Sequence, residues 1–111
     1  MAGKFELKKA KDGQYHFNLK AGNGRVILAS ETYKDKRSAQ AGIDSVRKNS
    51  PAAGRYERKT SARGEPYFVL TAVNGQTIGQ SEMYSSPAAM EKGIASVRKN
   101  AATARLNDYT E

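Results

Sequence analysis

The sequence predicts an α+β fold in which two β-β-β-α units merge into one antiparallel-rich sheet, with two helices on one face and a pseudo-twofold axis between the units. The first observation is a repeat: residues 3–50 align with residues 54–101 without a gap, and 20 of the 48 aligned residues are identical. The second is that apolar residues in each copy first alternate with polar residues, as in strands, and then recur at the spacing of a helix. The third is size, because a half of about 50 residues buries only a marginal core alone. We therefore expect a single domain over residues 1–111 with a shared core.

The first repeat begins with two predicted strands. In residues 4–9, Phe5 and Leu7 alternate with polar residues, and residues 14–21 alternate in the same way. The Asp12-Gly13 pair between them predicts a turn, because glycine adopts positive φ without a Cβ clash.

A hairpin turn and a third strand follow. Asn23-Gly24 predicts a type I′ turn, in which both central residues take positive φ. Residues 25–31 form the third predicted strand, where Val26, Ile27 and Leu28 are consecutive. Ile27 is the safest core residue of the three, because its repeat partner is Ile78.

A helix is predicted over residues 36–48. Apolar and small residues recur along one face, at Ala39, Gly42, Ile43 and Val46. Asp35 is the predicted N-cap, and the second copy offers the favourable Ser86-Pro87 pair at the same place. Asn49 is predicted to end the helix in the left-handed conformation. Glycine at the same interior position of both helices, Gly42 and Gly93, predicts a close approach of helix to sheet.

The predicted core consists of apolar residues that recur in both copies: Phe17, Leu19, Ile27, Ile43, Val46, Phe68, Leu70, Ile78, Ile94 and Val97. After the second helix, residues 102–111 form a tail in which a short seventh strand is expected, although its apolar signal is weak.

Three shared features carry a resemblance to a known family. They are the Gly-Asn-Gly turn, the Ser-Glu-Thr-Tyr segment at residues 30–33 and the Gly-Ile-x-Ser-Val-Arg-Lys-Asn helix. With β-β-β-α written twice, the chain resembles the YegP-like family of small proteins with largely unassigned function. The resemblance implies one merged sheet in which the strand after each helix pairs with the other half. Arg58 and Pro66 depart from the pattern of the first copy, in the first hairpin of the second copy.

The net charge is +8, and it lies mostly in the first repeat. Residues 3–50 carry +6, residues 54–101 carry +3 and the tail carries −1. A basic balance favours contact with polyanions, but it also serves solubility alone. Cysteine is absent, no apolar run reaches the roughly 20 residues of a membrane span, and the first residues lack a signal-peptide core. The expected location is cytoplasmic, without membrane association.

No catalytic, cofactor-binding or metal-binding residue is predicted. His16 is the single histidine, and no cysteine or second histidine accompanies it. The recurring glutamates Glu6/Glu57 and Glu31/Glu82 are interpreted as salt-bridge residues, and Tyr33/Tyr84 as packing aromatics beside the helices. We therefore expect a protein that is not an enzyme.

If both helices cover one face of the sheet, the other face is open. The residues expected on that face are Lys8, His16, Asn18, Lys20, Lys59, Tyr67, Val69 and Thr71. Two functions stay open: an interaction module for an unknown protein or small-molecule partner, and a weak, sequence-tolerant binder of nucleic acid through the basic first repeat. The candidate polyanion contacts are Lys8, Lys20 and Arg25. Because each repeat can cover the other's strand edge, we expect a monomer.

Overall fold

The computed structural model describes residues 3–110 and contains seven strands and two α-helices. In chain order they are β1 Lys4–Lys9, β2 Tyr15–Lys20, β3 Val26–Ala29, α1 Lys36–Asn49, β4 Tyr56–Thr60, β5 Pro66–Thr71, β6 Thr77–Gln80, α2 Pro87–Asn100 and β7 Arg105–Asp108. A single 3₁₀ turn at Ala53–Arg55 leads into β4. No helix within the described residues is both long and apolar enough to cross a membrane.

All seven strands belong to one sheet with the order β4-β5-β6-β3-β2-β1-β7. Every neighbouring pair is antiparallel except β1 and β7, which are parallel. The strand after α1 pairs with β5 of the second half, and the strand after α2 pairs with β1 of the first. The predicted α+β class with a single antiparallel-rich sheet is confirmed. β4 and β5 pair over five residues up to Thr60 opposite Pro66, so Arg58 and Pro66 do not interrupt this hairpin.

The two halves meet where residues that are 51 positions apart face each other. At the β3–β6 seam, Ala29 pairs with Gln80. From this pair the register extends outward through Asn18 and Glu6 on one side and through Val69 and Glu57 on the other. Side chains in one such row project from the same face of the sheet. The neighbouring residues, including Phe17 and Phe68, therefore share the opposite face.

Both helices pack on that opposite face. Gly42 of α1 lies beside the Phe17 ring, and Gly93 of α2 lies beside the Phe68 ring. All ten predicted core residues are buried in one hydrophobic cluster. The sequence left Leu28 undecided, and the structure places it in the same cluster. The Leu28 side chain fills the space above Gly79, where an added Cβ would lie 2.6 Å from a Leu28 methyl carbon. Leucine and glycine at equivalent positions of the repeat are thus complementary across the seam.

The N-terminal caps of the helices agree with the sequence, but the end of α1 does not. The Asp35 carboxylate accepts a hydrogen bond from the Ser38 amide at 2.7 Å, and Ser86 caps α2 in the same way. Asn49 is not a left-handed stop, because no residue except glycine has positive φ among the described residues. Its side-chain amide instead donates to the Ser45 carbonyl at 2.8 Å and is buried within the last turn.

The four hairpin turns share one design, and it is not the predicted type I′. In the second hairpin the Ala21 amide donates to the Arg25 carbonyl, the Gly24 amide donates to the Ala21 carbonyl, and only Gly24 has positive φ. This is a three-residue connection ending in a left-handed glycine. The glycines at positions 13, 64 and 75 repeat it with φ near 85°.

The helical glycines make room for tyrosines and not for the backbone of the sheet. A Cβ at Gly93 would lie 2.1 Å from the Tyr84 hydroxyl, and one at Gly42 would lie 2.5 Å from the Tyr33 hydroxyl. Each tyrosine ring also stacks on the phenylalanine below it, at 6.2 Å between centroids. The helices therefore approach the sheet closely at both glycines, as predicted, and the two tyrosines fill the remaining space.

The arginine in the last turn of each helix joins the two halves. Arg47 donates to the Ala102 carbonyl at 3.3 Å, and Arg98 donates to the Pro51 carbonyl at 3.3 Å. Each helix end thus binds the connection that follows the other helix. The Arg47 guanidinium also lies 4.9 Å from the centre of the Phe5 ring, a cation–π distance.

Candidate functional site

The face of the sheet that carries no helix is the candidate functional site, and we call it the open face. Of the eight residues predicted there, Lys8 and Lys59 are exposed, and His16, Asn18, Lys20 and Tyr67 are half-buried. The prediction that the other two are displayed is wrong. Val69 is 4% exposed and Thr71 is 6% exposed. The Thr71 hydroxyl donates to the Arg55 carbonyl at 3.0 Å.

Three lysines surround one carboxylate at the β2-β1 part of the open face. Glu6 is only 5% exposed. The ammonium of Lys20 lies 3.0 Å from its Oε1, that of Lys8 lies 3.6 Å from the same oxygen, and that of Lys4 lies 3.7 Å from Oε2. We call these four residues the lysine cluster. Strand alternation explains the arrangement, because Lys4, Glu6 and Lys8 project from one face of β1 and Lys20 faces Lys4 across the pair.

The lysine cluster carries a surplus of positive charge. Burial alone would raise the pKa of Glu6, but the Lys20 ammonium and the charges of Lys8 and Lys4 outweigh it, so the pKa lies below its ordinary value of 4.5. Glu6 is therefore ionised at neutral pH. Three ammonium groups then share one carboxylate, which leaves two positive charges without a matching negative charge inside the cluster. Each ammonium has three donors, so the lysines can bind a further anion from solvent without leaving Glu6.

The second repeat does not reproduce this cluster. Glu57, the counterpart of Glu6, is exposed. Arg55 and Lys59 occupy the positions of Lys4 and Lys8, but Thr71 stands in the place of Lys20. The cationic part of the open face thus belongs to the first repeat, in agreement with the larger charge of that half.

The structure brings together two of the three candidate polyanion contacts. Lys8 and Lys20 both belong to the lysine cluster, whereas Arg25 pairs with Glu82, with its Nη2 2.7 Å and its Nε 2.9 Å from one carboxylate oxygen. Each of these three cationic side chains is thus paired with a carboxylate. The sequence missed Glu6 as the centre of the cluster, although its position between Lys4 and Lys8 on one strand face is readable from strand alternation.

A shallow groove follows the β3–β6 seam, with a volume of about 390 Å³. The serines that line it are already occupied. Ser30 and Ser81 accept hydrogen bonds from the Phe17 and Phe68 amides at 2.9 and 3.0 Å, and each donates to the carbonyl of the glutamate that follows it. The Ser-Glu segment therefore completes the sheet at the end of β3 and β6, and each hydroxyl has already used its proton.

The titratable residues do not converge on a metal site within residues 3–110, where no group of three His, Cys, Asp or Glu side chains has suitable spacing. His16 lies on the open face, paired in register with Lys8. The arrangement that remains is electrostatic: a cationic cluster on an uncovered sheet face.

Comparison with known proteins places the chain in a family. A family model described as "Domain of unknown function (DUF1508)" matches residues 10–57 and again residues 61–108. The chain belongs to the DUF1508 family. The two DUF1508 matches are 51 residues apart at both ends, the same period as the internal repeat. Their boundaries begin seven residues later than the repeats at 3–50 and 54–101, so that division of the chain stays a prediction.

Relatives of this DUF1508 protein match it over nearly the whole chain, and the predicted YegP-like resemblance is confirmed. The UPF0339 protein YegP of Yersinia pestis is 57% identical over 108 residues, which cover 97% of this chain and 96% of that protein. A solution NMR structure of a UPF0339 protein from Shewanella oneidensis has a TM-score of 0.93 at 49% identity and covers 99% of this chain and 93% of that one. The solution NMR structure of yegP from E. coli, described as a protein of unknown function, has a TM-score of 0.93 at 53% identity, with coverage of 99% and 95%.

Proposed function

We propose that the protein is a non-enzymatic interaction module that contacts an anionic partner through the open face of its sheet. One observation carries this proposal: three lysines surround a single buried carboxylate on a face that no helix covers. Glu6 neutralises one of the three ammonium charges, so two positive charges remain in the cluster for an anionic partner.

A second candidate function is weak, sequence-tolerant binding of single-stranded nucleic acid. The observation that favours it is the location of the cluster in the first repeat, where the surplus of positive charge is concentrated. Tyr67 and His16 are half-buried aromatic residues of this face that could stack on bases, and binding would depend mainly on phosphates. The affinity should then fall steeply between about 50 and 200 mM salt.

The two candidates are separated with two anionic probes. The ¹⁵N-labelled protein is titrated with an oligothymidylate and with a polyglutamate peptide at 50 and 200 mM salt. Selective amide shifts in β1 and β2 with both probes support an anion-binding interaction face, and a preference for oligothymidylate supports the nucleic-acid candidate. If neither probe shifts β1 or β2 at 50 mM salt, both candidates are wrong.

The variants follow from the contacts of the lysine cluster. Reversal of Lys20 to glutamate would place a second carboxylate against buried Glu6, so the test uses neutral substitutions. The double variant Lys8→Gln/Lys20→Gln should weaken oligothymidylate binding by about tenfold, since each phosphate contact contributes on the order of 1 kcal/mol or less in water. Lys59→Gln, which removes the repeat counterpart of Lys8, is the matched control and should bind like the parent. Equal binding by the double variant and the control would exclude the cluster as the contact site.

A further inference from the structure

The two ends of the sheet differ, although the repeat makes their strands equivalent. β1 and β4 are counterparts, and each is the outermost strand of its own repeat. β7 covers the outer edge of β1 in parallel, whereas no segment within residues 3–110 pairs with the outer edge of β4. An uncovered edge presents backbone donors and acceptors in the pattern that another strand needs.

The register identifies the backbone groups at this edge. In an antiparallel pair, facing residues alternate between exchanging both backbone hydrogen bonds and exchanging none. Phe68 of β5 directs its amide and carbonyl to Ser81, away from β4. Arg58 faces Phe68 in the register, so the amide and carbonyl of Arg58 point outward. Leu7, its counterpart in β1, uses its outward carbonyl to accept the Tyr109 amide at 2.9 Å.

The flank of α2 beside this edge matches the flank of α1 that receives β7. Leu106 of β7 lines one pocket together with Gln40, Ile43, Asp44 and Arg47 of α1. The counterparts of those four residues on α2 are Glu91, Ile94, Ala95 and Arg98. A strand on β4 would therefore find an isoleucine and the stem of an arginine where Leu106 finds the same two residue types.

The charged residue at the edge of β4 specifies the partner further. In the β1–β7 pair, Asp108 lies opposite Leu7 and its carboxylate binds Lys36 at 2.6 Å. The counterpart of Lys36 is Pro87, which has no charge, and the counterpart of Leu7 is Arg58. Arg58 uses two of its donors on Glu91, at 2.5 and 2.8 Å, and its guanidinium has further donors for a second carboxylate.

We propose that the outer edge of β4 binds an extended segment of a partner polypeptide as an eighth strand, parallel to β4. The segment carries an aliphatic side chain that faces α2 and, two residues later, an acidic side chain that reaches Arg58. Backbone hydrogen bonds would supply affinity, and the two side chains would supply register and specificity, as in other cases of strand addition. This site is separate from the open face and does not depend on the function proposed for it.

The test uses a blocked peptide with the sequence of residues 103–110, because that segment has the required aliphatic and acidic residues. It is added to the ¹⁵N-labelled full chain at up to about 1 mM. Binding at β4 should shift the amides of Arg58, Thr60 and the α2 residues at 91–98, with an unchanged β1. Shifts confined to β1 and β7, or no shifts at 1 mM, would overturn the proposal.

Two substitutions at one position isolate the backbone contribution. Arg58→Ala removes the ion pair with Glu91 but keeps the outward amide, whereas Arg58→Pro removes that amide as well, and proline is tolerated on an edge strand whose N–H faces outward. We expect Arg58→Ala to bind the peptide with at most a fivefold loss and Arg58→Pro to lose binding. Equal binding by the two variants contradicts strand addition. If Arg58→Pro does not fold, the binding of a Leu106→Ser variant of the peptide to the parent protein is measured instead. This peptide should bind at least tenfold more weakly than the original peptide. Unchanged binding would overturn the proposal.

Discussion

Glu6→Gln should lower the stability of the protein and raise its affinity for polyanions. The substitution keeps the shape of the side chain and removes the one negative charge that the three ammonium groups share. A variant that simply misfolds would lose both properties. Opposite changes in stability and affinity are therefore the specific signature of the lysine cluster.

The expected loss of stability is about 1–2 kcal/mol. Interactions with a charged group contribute about 1.5–3 kcal/mol, but the lysine side chains are 26–45% exposed, and solvent screens their contribution. In urea unfolding monitored by circular dichroism, this loss corresponds to a midpoint about 1 M lower. Glu57→Gln is the matched control, because Glu57 is the exposed repeat counterpart, and its midpoint should stay within experimental scatter.

The affinity should change in the other direction. Removal of one charge at about 5 Å from a bound phosphate is worth about 0.8 kcal/mol in a water-like dielectric, or about fourfold in affinity. Fluorescence anisotropy with labelled oligothymidylate at 50 mM salt measures it. Unchanged or weaker binding by Glu6→Gln, with wild-type binding detectable, would refute the assignment of the cluster as the contact site.

The pH dependence gives an independent check on Glu6. Its pKa in the folded protein lies below the ordinary 4.5, so ionised Glu6 contributes stability that is fully present above pH 4.5 and is lost as the pH falls through the lowered folded pKa. The difference in unfolding free energy between wild type and Glu6→Gln should accordingly be constant near neutral pH and shrink in acid. A difference that grows below pH 4 would contradict the sign of this argument.

Three further predictions concern the frame of the fold. Ser81→Ala should lower the free energy of unfolding in urea by about 1–3 kcal/mol, because the buried Phe68 amide loses its acceptor at 3.0 Å. Hydrogen exchange of the Phe68 amide should also accelerate, and an unchanged urea midpoint would be inconsistent with this role of Ser81. Lys36→Gln should raise the pKa of Asp108 from about 2 toward its ordinary 3.8, since the Lys36 ammonium is the largest cause of the lowered pKa. NMR titration of the carboxyl group measures this pKa, and an unchanged pKa would assign the shift to Thr110 alone. Ile94→Ala should cost about 2–5 kcal/mol, and a loss below about 1 kcal/mol would mean that the buried face of α2 is misassigned.

The regular elements and the core were readable from the sequence because they depend on local patterns. The strand alternation around Phe17 and the helical spacing of Ile43 and Val46 each report one buried face. The repeat strengthened these predictions, since a residue that is apolar in both copies is rarely exposed in either. Ile27 was chosen over its neighbours on that ground, and it is buried.

The candidate site was only partly predictable. Strand alternation placed Lys8 and Lys20 on the same face as Glu6. The sequence could not show that Glu6 would be buried among these lysines. Burial of a charge depends on several side chains from two strands at once. For the same reason Arg25 was predicted as a surface contact, whereas it pairs with Glu82 from the other repeat, 57 residues away.

By itself the sequence determined the repeat, the chain order of strands and helices, the N-terminal helix caps and ten residues of the core, because each of these follows from the spacing of residue types along the chain. Only the tertiary structure decided which residues meet across the seam. Leu28 fills the space above Gly79, Arg47 and Arg98 bind the connections after the opposite helices, and β7 covers β1 while β4 stays uncovered within residues 3–110. These contacts join residues that are far apart in the chain, and they break the equivalence of the repeats, so no pattern confined to one copy can specify them.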